Sequence, residues 1–493
     1  MSMQKQDQEQ DQHQKQALEQ ASKQDPAYKS ESIDDNEHEM HDAQDKTKRM
    51  GSEPIPKLLA QFSIPAVIAM LVNAIYNIVD RIFIGKFVGE DALAGLTISF
   101  PVMMIIFAFA GLVGIGSSAL MSIHLGKRDF KGVNQIFGNM ITFGTLVTGA
   151  TLSIIFINLD GIMNLFGATP DIINYASDYM RIILMGFIFQ MYAFCLNGAV
   201  RTEGHPMLSM TTMLLSAITN IILDYVFIVN LGWGVQGAAI ATITGQLTGL
   251  LFLLRFYLSG NSVVKLQPHD FIPRLSVFKS ITSIGVSSFV TQLGTSVAMT
   301  FLNRGLGQYG GVGAITSMGA INSLFTLFIM PMIGLQQGLQ PIIGYNHGAK
   351  SFDRVKGALK LGLTVSMLFS TVIFIALQVF PRVFISAFLD PTSETVDVAV
   401  TGLRIFILML PFLGINILGT GFFQSIAKGH IAIMLGAMRQ FIFLLPLVII
   451  LPQFFGLTGV WMATPIADAI SILATAIALL YHFKETPSLA QEA

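Results

Sequence analysis

The sequence predicts an all-α polytopic membrane protein: twelve transmembrane helices in two six-helix lobes, related by a pseudo-two-fold axis along the membrane normal. Three observations lead there. The 493 residues are 52% hydrophobic and only 12% charged, with a mean hydropathy of +0.62, whereas a soluble protein is about 25% charged. Apolar runs of about 20 residues or more, enough at about 1.5 Å per residue to cross a bilayer core of about 30 Å, recur along most of the chain. The two halves of the chain also repeat each other.

The chain opens on a polar stretch. Residues 1–54 hold 13 of the 30 acidic and 7 of the 29 basic residues, a net charge of −6 that leaves +5 for the remainder. With almost nothing apolar to bury, as in QKQDQEQDQHQKQ, they read as a disordered cytoplasmic tail. Its His13, His38 and His41 are scattered among polar neighbours and read as solvated rather than as metal ligands. No signal peptide is expected, since the first apolar run starts after Lys57 and is too long for one.

Twelve spans follow, at 58–84, 92–123, 133–157, 175–199, 207–229, 237–258, 275–303, 312–345, 355–380, 398–426, 431–451 and 457–482. Pro65, Pro101, Pro331 and Pro341 fall inside them and are expected to kink them. With the tail inside, the inner loops collect Lys127, Arg128, Lys131, Lys350, Arg354 and Lys356 among others, while the outer loops collect Lys86 and Arg382 against Asp160, Asp171, Asp390, Glu394 and Asp397. The positive-inside rule therefore puts both termini in the cytoplasm. The division is a tail over 1–54, an N-lobe over 55–258, a cytoplasmic linker over 259–274, a C-lobe over 275–483 and a C-terminal tail over 484–493.

The repeat has an offset of 222 residues. Gly126, Phe130 and Val133 match Gly348, Phe352 and Val355, GVQGAAIAT at 234–242 matches GLTGVWMAT at 456–464, and Asp80-Arg81 falls on Asn303-Arg304 with one residue of slip. Because the repeat spans an even number of helices, the halves share one orientation. Two parallel bundles around a central cavity form a transporter architecture, worked by rocking one bundle against the other.

An ionisable group inside a span costs at least about 2.5–3.5 kcal/mol and marks a functional site by default. There are three such carboxylates: Asp80, Asp224 and Asp468. Asp80 lies about 34 Å from the inner start of the first span and Asp224 about 25 Å from that of the fifth, so both fall in the outer half of the first bundle, near Thr242. Asn73, Tyr76, Asn77 and Asp80 form one polar stripe and Asn220 and Asp224 another, and both stripes should face the bundle interior. Two carboxylates brought together out of water would trade a proton or a cation. The alternative is an interhelical cluster that only fixes packing, with Asp80 paired to Arg81. Asp468 finds no comparable partner in the second half, and its role is open between structure and function.

The second bundle is otherwise neutral, with Gln292, Thr295 and Asn303 in its first span and Gln336, Gln337 and Gln340 in its second, so coupling chemistry is expected in the first half. Most of the 25 Met and 38 Phe are core or lipid-facing, and a subset would suit an adaptable cavity for flat ligands. Cys195, the one cysteine, reads as a small buried residue. No H-E-x-x-H, G-x-S-x-G or Walker A motif occurs, so neither an enzyme nor an ATP-driven pump is expected. The basic residues form no stripe, so no nucleic-acid partner is expected either.

From about residue 55 to 483 the chain resembles the multidrug and toxic compound extrusion (MATE) family, particularly its DinF-like and MepA-like bacterial members. The resemblance rests on the two-lobe plan and on FSIPAVIAMLVNAIYNIVDRIFIG at 62–85, RTEGHP at 201–206, NIILD at 220–224 and VWMATPIAD at 460–468. It implies a V-shaped pair of lobes in a bacterial inner membrane that exports lipophilic, often cationic drugs in exchange for H+ or Na+, as a monomer without a cofactor. It also implies an N-lobe cation-coupling network of Asp80, Tyr76, Asn220, Asp224 and Thr242, with Pro65 as the kink-forming proline. Asn73, Asn77, Gln292, Asn416 and Asp468 are candidates for a polar cavity. The NorM branch carries acidic residues in helices seven and ten, where this chain offers Gln292, Asn416 and Gln424, which argues against a NorM-type C-lobe site. The rival is a MurJ-like lipid-linked precursor flippase, which usually has fourteen helices and a strongly basic cavity.

Overall fold

The computed structural model describes residues 47–166, 172–389, 391–393 and 395–489, and every regular element among them is helical. Nine of these helices are long and apolar enough to cross a membrane. Two are too long to cross only once: Leu275–Gly348 has 74 residues, about 110 Å of helix. It reverses at Gly311, whose φ of 65° only a residue without a Cβ adopts readily, and the last long stretch reverses in the same way at Gly456 (φ 56°). The tenth span is a bent pair, Thr395–Phe406 and Leu410–Ser425, at 41° to each other beside Pro411. Divided in this way, the described residues hold the twelve expected spans.

These are α1 (Ile55–Phe87), α2 (Glu90–Gly126), α3 (Phe130–Ile157), α4 (Ile173–Thr202), α5 (Pro206–Asp224, extended by a π-helical turn, Tyr225–Asn230) and α6 (Gly234–Leu258) in the first lobe. The second holds α7 (275–310), α8 (312–348), α9 (Phe352–Val379), α10 (the bent pair), α11 (429–455) and α12 (457–489). Two short helices, Leu159–Leu165 and Pro381–Ile385, follow α3 and α9.

The repeat is written in the backbone. The positive-φ residues Gly89 and Gly311, Arg128 and Lys350, and Gly234 and Gly456 lie 222 apart, so a positive-φ residue stands at the same junction in each lobe. The interface between lobes obeys the same symmetry. A Cβ on Gly126 would stand 1.9 Å from the carbonyl oxygen of Tyr345, and one on Gly348 would stand 2.0 Å from that of Ile123. Under the 222-residue shift these two contacts exchange places, which is the reciprocity of an isologous two-fold interface.

The lobes touch at one end. The backbones of α2 and α7 close at Gly116 against Ile281 and at Gly285 against Leu112, and α8 closes on α1 at Gly338 against Ser63. Gln340 on α8 donates to the Ile115 carbonyl (3.3 Å), and Phe109 packs on Phe289 with 4.8 Å between ring centroids. All of these residues lie in the halves of their helices nearest the basic loops. One apolar core runs through both lobes there, whereas a second, from Ala298 to Ala467, belongs to the C-lobe alone at the opposite end. The lobes therefore meet at the basic end and separate toward the other.

Two segments are more ordered than their polarity suggests. Residues 1–46 of the expected tail lie outside the described residues, but residues 47–52 are helical and Met50 is fully buried, which shortens the tail. The linker over 259–274 is stapled to the first lobe. Asn134 exchanges hydrogen bonds with the Lys265 backbone (2.8 and 3.1 Å), and Asn139 donates to the Asp270 carbonyl (3.0 Å) and accepts from the Arg274 amide (2.8 Å). Glu203, buried in the RTEGHP turn, accepts from Ser262 Oγ (2.6 Å) and the Val263 amide (2.9 Å). Burial pushes its carboxyl up to about 7 against those hydrogen bonds. Arg201 in the same turn donates to Asn197 Oδ1 (2.7 Å) and ties α4 to α5 through Ser209.

Candidate cation-coupling site

Four helices of the first lobe converge on one buried cluster. α5 packs on α1 and α6, and α4 packs on α6. The approach of α6 to α5 rests on two glycines a turn apart: a Cβ on Gly245 would lie 2.7 Å from the Ser216 carbonyl, and one on Gly249 would lie 2.2 Å from Ser216 Oγ. That proximity lets Asn220 Nδ2 reach Thr242 Oγ1 at 3.4 Å. From α1 comes Asp80, 8% exposed, and from the last residue of α5 comes Asp224, 0% exposed. Each lies within Coulombic range of Tyr76 on α1 and Tyr179 on α4, and Asp80 acts on Asp224 directly.

The cluster is rich in acceptors and short of donors. Asp80 Oδ1, both carboxylate oxygens of Asp224 and Asn220 Oδ1 are buried with no hydrogen-bond partner. Buried polar atoms in native proteins are overwhelmingly satisfied, and an orphaned carboxylate is far costlier than an orphaned amide. Hard oxygen donors of this kind suit a proton or an alkali cation rather than a thiophilic metal. No cluster of three or more His, Cys, Asp or Glu that could hold a metal occurs among the described residues.

Asp80, Asn220, Asp224 and Thr242 thus come together. The alternative partner, Arg81, makes no ion pair with Asp80: its guanidinium lies over the Phe100 ring at 5.4 Å and reaches the carboxylate only as a longer-range charge. The stripe on α1 divides: Asp80 is buried, Asn73 and Tyr76 are half-buried, and Asn77 stays exposed with its amide on the Asn73 carbonyl (2.7 Å). Pro65 is buried within α1, which continues through it as helix. Tyr179 was missed by the sequence reading. It follows Asp178 and lies one turn after Tyr175, so nothing local singles it out, and only the packing of α4 against α6 brings it to the carboxylates. The π-turn beginning right after Asp224 also has no sequence signal, although such turns gather at functional sites.

The C-lobe candidates find separate partners. Asp468 is not unpartnered, as its sequence context suggested: Arg439 Nε on α11 meets Asp468 Oδ1 at 2.7 Å, with the carboxylate 5% and the guanidinium 20% exposed. Arg439 and Gln440 lie on a second π-helical turn, Met438–Leu444, and Gln440 donates to Thr295 Oγ1 (2.8 Å). Asn416 donates to Ser471, Gln424 bonds Ser287 (2.9 Å), and Gln292 is half-buried on α7. The buried carboxylate of the C-lobe thus has its guanidinium, whereas the first-lobe pair keeps three carboxylate oxygens without a hydrogen-bond partner.

Two parallel six-helix lobes meeting at one end, with buried polar groups between their helices, define a multi-pass membrane transporter rather than an enzyme. The MatE family profile matches residues 65–226 and 287–450, and the chain belongs to that family. It is 29% identical over 420 residues to a protein named multidrug export protein MepA from Staphylococcus haemolyticus (strain JCSC1435), covering 84% of this chain and 91% of that one. It is 28% identical over 440 residues to the protein of the same name from Staphylococcus aureus (strain NCTC 8325 / PS 47), covering 88% and 95%. Among solved structures, a ligand complex of the MATE multidrug transporter DinF-BH is 40% identical with a TM-score of 0.82, covering 88% of this chain and 96% of that one.

Proposed function

We propose that this protein is a secondary multidrug efflux antiporter, exporting lipophilic, often cationic compounds in exchange for H+ or Na+ by alternating access. The observation that carries the reading is the Asp80–Asp224 pair, buried and in mutual Coulombic range with three of its four oxygens unpartnered. The names of the relatives support drugs as the substrate class. The basic loops support a bacterial cell membrane orientation with both termini cytoplasmic, an N-lobe over 55–258 and a C-lobe over 275–483 joined by 259–274. In that orientation the closed end faces the cytoplasm and the molecule is open outward, as a monomer.

The chemistry follows from the charge count. Two carboxylates in one buried cluster repel each other, and a proton or a Na+ relieves the repulsion by binding the carboxylate oxygens that have no other partner. Asn220 and Thr242 add neutral oxygens at the same depth. An ion can move the lobes only through a difference in its affinity for the two conformations, and the membrane potential adds about 2.3 kcal/mol per charge per 100 mV where net charge moves. Loading from outside would favour release of drug outward, and unloading inward would reset the lobes. The test is transport of a fluorescent cation in proteoliposomes under a pH gradient or a Na+ gradient applied separately. Stimulation lost in Asp80→Asn and Asp224→Asn is the expected result, and full gradient-driven export by both variants would overturn the reading.

A further inference from the structure

Arg354 stands at the start of α9, in the second lobe, yet its hydrogen bonds run to the beginning of the chain. Nη2 donates to the carbonyl oxygens of Met50 (3.1 Å) and Glu53 (2.7 Å), while Nε donates to Asn346 Oδ1 (2.9 Å). Asn346, buried on α8, gives its Nδ2 to the same Met50 carbonyl at 2.9 Å. The Met50 side chain is fully buried, and a Cβ on Gly51 would meet the Tyr345 ring at 3.0 Å. Residues 47–53 lead directly into α1 of the first lobe but dock on the α8–α9 corner of the second. Glu53 pairs with Arg49 within the segment (3.0 Å) and ties it to α1 of its own lobe through Lys57 (3.3 Å).

We propose that residues 47–53 form a strap that holds the two lobes closed at this end, with Arg354 as the positioning residue that clamps it. The inference rests on the alternating-access reading, since a strap matters only if the lobes part. Its location fits the role: Tyr345, against which Gly51 packs, is also the residue whose carbonyl meets Gly126 in the reciprocal lobe contact. Pro54 and Pro56 follow the strap at once, and their fixed φ leaves little slack between it and α1. Opening this end moves α8 and α9 away from α1 and α2. The strap then has to leave Arg354, exposing Met50 and stripping charge-assisted hydrogen bonds from two carbonyls. The strap therefore weights the resting equilibrium toward the closed end, and whatever frees it lowers the barrier to inward opening.

The test measures lobe separation directly, by electron paramagnetic resonance between spin labels at Lys131→Cys and Lys356→Cys. Both sites are exposed on opposite lobes at this end, and buried Cys195 stays unlabelled. The full chain in lipid nanodiscs should give one short distance. Arg354→Ala should raise a longer-distance population about tenfold or more, the equivalent of one lost hydrogen bond to a charged donor. Arg354→Lys, able to reach only one carbonyl, should fall between, and Met50→Asp should reproduce Arg354→Ala from the other side of the contact. Unchanged distances in Arg354→Ala, or a shift there that Met50→Asp does not share, would overturn the strap. The readout needs no ion gradient and no drug, so it stands or falls apart from the coupling test on Asp80 and Asp224.

Discussion

Gly126→Ala puts the smallest possible wedge into the contact between the lobes. Its Cβ would lie 1.9 Å from the Tyr345 carbonyl oxygen and 2.8 Å from the carbonyl carbon, both backbone atoms that no rotamer change can move. A relaxed carbon–oxygen contact needs about 3.3–3.6 Å, so the helices must part locally by roughly 1.5 Å. Overpacking of this size costs about 1–3 kcal/mol, and here the strain is present only while the lobes are closed. The closed-to-open ratio should therefore fall by roughly 5- to 150-fold. Gly348→Ala should do the same, because a Cβ there meets the Ile123 oxygen at 2.0 Å. The assay is the rate at which a cysteine placed at Ser122, buried in the α2–α8 contact one turn from Gly126, reacts with a membrane-impermeant maleimide in inside-out vesicles, together with the distance measurement above. Equal labelling and distances in parent, Gly126→Ala and Gly348→Ala would refute the reciprocal backbone contact as the gate. An effect from one glycine and not the other would refute its symmetry.

Three further outcomes follow from other contacts. Arg439→Leu leaves the Asp468 carboxylate buried without its partner and should lower stability by about 3 kcal/mol, the low end for a broken buried pair because the guanidinium keeps some exposure. Arg439→Leu combined with Asp468→Leu should recover most of that in thermal unfolding in detergent, and a double variant no more stable than the single one would contradict the pairing. The Glu203 carboxyl, pushed up to about 7 from its usual 4.5, keeps its proton in the folded state where the unfolded chain has lost it. Stability should therefore fall as pH rises from about 4.5 to 7, by roughly 3 kcal/mol, and then level off. Glu203→Gln should flatten that profile, and an unaltered pH dependence of the melting temperature would count against it. Asn139→Ala strands the Asp270 carbonyl and the Arg274 amide and should cost about 2–4 kcal/mol, loosening the linker to limited proteolysis, whereas an intact digestion pattern would mean the staple is dispensable.

Much of the architecture was legible because lipid imposes strong rules on sequence. Apolar length marks each span, loop charge marks orientation, and the match of GVQGAAIAT with GLTGVWMAT marks the repeat of the two halves. Asp80, Asn220 and Asp224 were legible for the same reason: a carboxylate inside an apolar run has no inexpensive place to go except against another polar helix face. Arg439 in the eleventh span was passed over when the second bundle was read as otherwise neutral, because Asp468 lies 29 residues away on another helix and periodicity says nothing about which faces meet.

The chain's composition and its 222-residue repeat determined on their own that it would be a membrane protein of two like-oriented six-helix lobes, because helix length, hydropathy and glycine spacing are local properties. Tertiary structure alone decided what crosses between helices. It brought Tyr179 to the carboxylates, gave Asp468 its guanidinium, folded polar residues 47–52 onto the opposite lobe and set Gly126 and Gly348 against each other's helices. These depend on contacts between residues up to about 300 positions apart, such as Met50 with Arg354, and a local pattern carries no record of which distant backbone will approach it.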